Sequence, residues 1–176
     1  PVVHMCACAL WKACESRDVR AAVVAEDVVE HLFRLASNKN IPLRTRMVGA
    51  DFLQDLVREV PENDGVRGEA TAQLIDCSGA QYPLMKLMLQ FAVTADALSK
   101  RYGVAMLART VDTQSANRYF AQINATKTLL DELRACVRIE HVCDLLHCLL
   151  NVTSAPECQD QAGKYGINLL LRLARD

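Results

Sequence analysis

Apolar residues recur three and four positions apart along most of this chain, the spacing of helices that bury one face. Met5, Ala9, Leu10 and Ala13 place a first helix over Val2 to Cys14. Arg17-Asp18 after Ser16 opens a second, whose stripe of Val19, Val23, Val28, Leu32 and Leu35 predicts one helix to Ala36. Ser37 to Pro42 breaks the pattern, and Pro42 suits the first turn of the next helix. Met47, Ala50, Leu53, Leu56 and Val57 predict a helix from Leu43 to Val60, stopped by Pro61 to Gly65. A weaker helix follows from Glu69 to Cys77, closed by Ser78-Gly79. Tyr82 to Val93 is apolar on nearly every side, as expected of a helix in the middle of a stack. Thr94 is placed to cap a helix from Asp96 to Val111, in which Gly103 predicts a kink or break. Asp112 to Ser115 separates it from one helix over Ala116 to Val137, with Phe120, Ile123, Leu129, Leu130 and Leu133 inward. From Asp144 an apolar helix ends in Asn151-Val152-Thr153-Ser154-Ala155-Pro156. A polar stretch follows, and Gly166-Ile167 opens into Leu169, Leu170, Leu171 and Leu173.

The helical reading agrees with composition. Hydrophobic residues make up 51% of the 176 positions and aromatics 5%, with glycine scarce, so the class expected is all-α with a substantial core. Twenty basic and 21 acidic side chains leave a net charge of -1, which advertises neither nucleic acid nor an anionic membrane as partner. No apolar run approaches the ~20 residues of a bilayer span. The eight cysteines, at 6, 8, 14, 77, 136, 143, 148 and 158, lie in apolar helical stretches and read as buried thiols of a reducing, cytoplasmic compartment. Asn151-Val152-Thr153 is formally a glycosylation acceptor, but no signal peptide gives it meaning. The chain begins without Met and starts and ends inside repeat-like helices, so a piece of a longer protein is expected.

The ends of the chain resemble armadillo repeats. In that family a helix ends in an Asn-hydrophobic-small corner, and a Gly-Gly-Ile-like turn leads into a Leu-x-x-Leu-Leu helix. Asn151, Val152, Gly166, Ile167, Leu170 and Leu173 match this order. Near the start, Val28, Val29, Leu32, Phe33, Arg34, Leu35 and Ala36 align with Gly166, Ile167, Leu170, Leu171, Arg172, Leu173 and Ala174. The resemblance implies a right-handed α-solenoid, an armadillo-like superhelix of about four imperfect repeats spanning residues 1–176 as a single domain. Leu32 to Leu74 and Leu130 to Leu170 return at about 40 residues, as stacked repeats require. The interval between Leu74 and Leu130 is longer. Either an extra helix or a truncated repeat at Leu107 fills the irregular centre at about 80–137.

The resemblance further implies a non-catalytic scaffold or adaptor that binds an extended peptide or a helix of a partner protein on a concave surface. Importin-α-like members carry a Trp and, one turn on, an Asn that holds the peptide backbone. Here Trp11 is followed by Glu15, and Asn151 is preceded by His147, with Gln54 and Arg58 as middle equivalents. No unit has the complete pair. These six residues are the candidate partner-binding set. Cys143 and His147 share a helix face at zinc-ligand spacing, but two ligands are not a site, so no metal or other cofactor is expected. No phosphate loop, serine elbow or carboxylate pair accompanies them, so no catalysis is expected either. The alternative is a structural or targeting piece of a larger cytoskeletal, ciliary or motor-associated protein. It would act by docking or self-association through Val2, Val3, Met5 and Leu10 at one end, or Leu169, Leu171 and Leu173 at the other.

Overall fold

The structure, a computed structural model, describes residues 2–57, 64–94, 96–110 and 114–175. All regular structure among them is α-helical: α1 (Val2–Ala13), α2 (Arg17–Ala25), α3 (Val28–Ser37), α4 (Leu43–Val57), α5 (Asp64–Ser78), α6 (Pro83–Ala92), α7 (Ala97–Thr110), α8 (Gln114–Gln122), α9 (Ala125–Ala135), α10 (Ile139–Val152) and α11 (Pro156–Leu173). The chain divides into two compact units, Pro1–Leu87 and Met88–Asp176, so the end of α6 belongs to the second.

Both units follow one plan. In the first, α1 packs on α4, α2 on α3 and α5, α3 on α4 and α5, and α4 on α5. In the second, α7 packs on α10, α8 on α9 and α11, and α9 on α10 and α11. Substituting α7 to α11 for α1 to α5 in order reproduces each of these pairings but that of α4 with α5. Their buried positions coincide too: Ala7 with Val104, Val23 and Val24 with Phe120 and Ala121, and Leu32 and Ala36 with Leu129 and Leu133. Along α4 and α10, Phe52, Leu53 and Leu56 correspond to Cys148, Leu149 and Val152.

Two polar devices repeat as well. The stripe from Val19 to Ala36, expected to form one helix, is broken at Asp27, whose φ of 56° is left-handed. The expected helix from Ala116 to Val137 is broken in the same way at Asn124, with φ 55°. Asp and Asn tolerate this conformation better than other residues with a side chain. Each break strips carbonyls of their partners four residues on, and a glutamine from α5 or from α11 supplies a donor. Gln73 Nε2 donates to the Val24 carbonyl at 2.9 Å, and Gln161 Nε2 to the Ala121 carbonyl at 2.7 Å.

Other boundaries also differ from expectation. Helix α5 starts at Asp64, so Asp64 and Gly65 open it and do not belong to a loop. The expected stop at residues 61–63, the end at 58–60 of the helix expected from Leu43 to Val60 and the separator at 112–113 lie outside the described residues. Asp96, not Thr94, caps α7, its Oδ2 accepting from the Ser99 amide at 2.7 Å. The Thr94 hydroxyl instead donates back to the Phe91 carbonyl. Gly103 leaves α7 unbroken, because its role is close packing: a Cβ there would stand 2.4 Å from the Ala92 nitrogen of α6. Gly166, expected at a turn, lies inside α11, where a Cβ would meet the Leu130 side chain at 2.6 Å.

Candidate partner-binding cleft

Helices α1 and α4 of the first unit meet through Trp11. Its ring stacks on Phe52 with centroids 6.4 Å apart, and its Nε1–H donates to Asp55 Oδ2 at 2.7 Å. A half-buried indole is well served by such an acceptor. Stacking and the charge-assisted bond together fix the ring's orientation, leaving its free edge on a cleft of about 310 Å³. Cys8, Lys12 and Glu15 flank the indole, Arg20 enters from α2, and Asp55 comes from α4.

Two cations and two anions line this cleft, so it has both signs of charge and little net field. Lys12 and Glu15 pair across one helical turn with both side chains well exposed, a contact worth at most ~1 kcal/mol and easily exchanged for a ligand. The Arg20 Nε donates to the Cys14 carbonyl at 3.1 Å, closing the corner between α1 and α2. Burial pushes the Cys14 thiol up, an effect that the nearby Arg20 charge opposes. The surroundings suit a peptide's alternating donors and acceptors beside an aromatic wall. Among the described residues no cluster of three or more His, Cys, Asp or Glu could hold a metal ion.

Of the six residues expected to bind a partner, the structure brings Trp11 and Glu15 together here. Gln54 is half-buried on α4 and does not line the cleft, whereas its neighbour Asp55 does. Arg58 lies outside the described residues. His147 is exposed on α10 of the second unit. Asn151, one turn further on, spends its amide inside the fold, donating from Nδ2 to the Ala108 carbonyl of α7 at 2.9 Å. That bond is the counterpart of Trp11 to Asp55: Ala108 occupies the place of Trp11, and Asn151 the place of Asp55. The second unit therefore joins the same helix pair without an indole.

Sequence reasoning missed Asp55 and Arg20. The only signal available for Asp55 was its place on the face of α4 that carries Phe52 and Leu56, where a carboxylate needs a donor.

The second unit has other openings. One of about 400 Å³ is lined by Arg134, Lys164, Tyr165 and Arg172, but Arg134 is already committed to Asp131 and the Tyr165 carbonyl. Another of about 200 Å³ is lined by Lys100, Glu132, Cys136, Arg138 and His141. The cysteines are less uniformly buried than expected. All eight are free thiols; Cys14, Cys148 and Cys158 are buried, but Cys6 and Cys143 are exposed. Burial pushes the Cys148 thiol up to about 12, which makes it inert. Among the described helices none is long and apolar enough to cross a membrane.

No family model, no curated protein and no solved structure matches this chain.

Proposed function

We propose that this chain is a non-catalytic helical-repeat module of armadillo type that binds a segment of a partner protein, with the Trp11 cleft as a contact point. The observation that carries this reading is the repetition of one five-helix plan, with all pairings but one shared, the same left-handed breaks and the same glutamine latches. Repeat architectures present surface by stacking similar units, and their chemistry is contact. The mixed charges and rigid indole of the cleft suit an extended peptide.

Trp11 is the chain's single tryptophan, so its fluorescence reports on this cleft alone. The test is a selection of extended peptides from a random display library, followed by titration of a selected Trp-free peptide. The expected result is a saturable change in Trp11 emission, with affinity reduced by ~10-fold or more in the Lys12→Glu, Glu15→Arg double variant. Peptides that bind both proteins equally and leave the emission unmoved would sink the reading.

A further inference from the structure

Helix α1 has two faces. Ala7, Trp11 and Cys14 face inward, toward α4. On the other side Val2, Val3, Met5, Cys6, Ala9 and Leu10 are all exposed, Val2 by 72% and Met5 by 69%. No charged side chain interrupts these six positions.

The second unit shows what such a face receives. The positions of α7 that correspond to these six are Ser99, Lys100, Tyr102, Gly103, Met106 and Leu107. None is exposed there, and Ser99, Met106 and Leu107 are no more than 5% exposed. The end of α6 lies against two of them, Gly103 and Tyr102, while Lys100 pairs with Glu132 of α9. Gly103 comes so close that a Cβ would stand 2.6 Å from the Met88 carbonyl oxygen and 2.8 Å from the Phe91 carbonyl carbon. Tyr102 meets Phe91 edge to face, with centroids 5.3 Å apart. Thus Met88, Phe91 and Ala92, at i, i+3 and i+4, form the ridge that α7 meets at Gly103 and Tyr102.

We propose that the exposed face of α1 is a docking site for an apolar helix of a partner polypeptide, seated on α1 as α6 is seated on α7. The occupant carries an i, i+3, i+4 ridge of large and small apolar residues like that of α6, whose only charge is Lys86. Cys6 stands where α7 has Gly103, so the docked helix lies further out than α6 does, by the room a Cβ and thiol require. Trp11 points from the opposite side of α1, and the proposal stands whether or not the cleft binds a peptide.

The test uses the whole chain and a dye-labelled synthetic peptide with the sequence of residues 81–94, followed by fluorescence anisotropy. Saturable binding is expected, weakened by ~10-fold or more in Cys6→Glu and in Leu10→Glu, since a charge would be buried without a partner. Leu150→Glu, a charge placed on an exposed leucine of α10, is expected to leave binding unchanged. Absence of binding, or binding indifferent to the two α1 charges, overturns the proposal; indifference means that the peptide merely replaces α6 on α7. Should light scattering show the chain doubling its mass through this face, with Leu10→Glu restoring the monomer, a second copy is the occupant and the partner helix is wrong.

A second measurement needs no variant of the chain. The same peptide carrying Ala92→Cys as its thiopyridyl disulfide is expected to exchange with the Cys6 thiol, releasing thiopyridone, and to spare Cys143, which is also exposed and free. Equal labelling of both cysteines counts against the docking geometry.

Discussion

Among the described glycines of the first unit the closest approach to another element is at Gly49, where a Cβ would stand 3.3 Å from the Leu32 carbonyl oxygen. In the second unit Leu145 takes the place of Gly49, and the close approaches at glycine fall at Gly103 and Gly166. The units thus share a plan without sharing where glycine lets helices approach. Val23 against Phe120, and Phe52 against Cys148, show the same exchange of bulk between equivalent buried positions. A core accepts such exchanges when total volume and pattern are kept. What stays fixed is polar: a left-handed Asp or Asn at the break and a glutamine that caps the freed carbonyl. The recurring geometry is therefore marked by directional hydrogen bonds at the breaks, while the apolar contacts are free to vary.

The strongest way to break the comparison is at the position where the units differ most. Gly103→Ala drives a methyl group into the α6 backbone, which cannot rotate away as a side chain could. The gain in helix propensity from Gly to Ala is only about 1 kcal/mol. A net loss of roughly 3 kcal/mol is expected, at the upper end of the usual cost of overpacking. Urea denaturation measures it, with faster amide exchange expected in α6 and α7. Cys6→Ala at the corresponding exposed position is expected to change stability by less than ~0.5 kcal/mol. Equal losses from the two substitutions would mean that the surroundings of α1 and α7 do not differ.

Where the units agree, the same substitution should have the same effect. Gln73→Leu and Gln161→Leu each remove a side-chain donor from a carbonyl at a helix break. Each is expected to cost at most about 1 kcal/mol, because the glutamine's own unpaired Oε1 goes with its donor and the Ala121 carbonyl still accepts from the Asn124 amide at 3.0 Å. Thermal unfolding of the pair checks this. A loss confined to one variant would show that the two latches are only geometrically alike.

These latches mark the limit of what the sequence disclosed. Helices α1, α4, α6 and α10 were legible from their apolar spacing, because each buries a continuous stripe. The breaks at Asp27 and Asn124 were not. A single left-handed residue shifts the chain without spoiling the three-and-four pattern on either side, and neither residue is a glycine that would have announced it. Gly103 and Gly166 misled in the opposite direction: they read as breakers, yet each is there to let another element approach. In the cleft, Trp11 and Glu15 could be found because they lie one turn apart on one helix. Asp55 could not, since its pairing with Trp11 depends on how α1 meets α4.

The gentlest probe swaps one residue between the units. His141 on α10 is buried, and neither ring nitrogen has a hydrogen-bond partner. Thr45 holds the corresponding place on α4 and is equally buried, but it does not titrate. Burial lowers the His141 pKa, and the Lys100 and Arg101 charges add to that effect, while Asp144 and Glu132 oppose it. The folded chain therefore keeps a neutral imidazole where the unfolded chain takes up a proton below about pH 6.5. Its contribution to stability is intact above that pH and is lost as pH falls toward the depressed folded value. His141→Thr removes a bulky ring and is expected to lower stability somewhat at every pH. The informative quantity is the further loss between about pH 7.5 and about pH 5.5. That loss is expected to be smaller in His141→Thr than in the parent chain, whereas Thr45→Ser is expected to leave it unaltered. An unchanged pH dependence in His141→Thr would place the titration elsewhere and remove this difference between the two units.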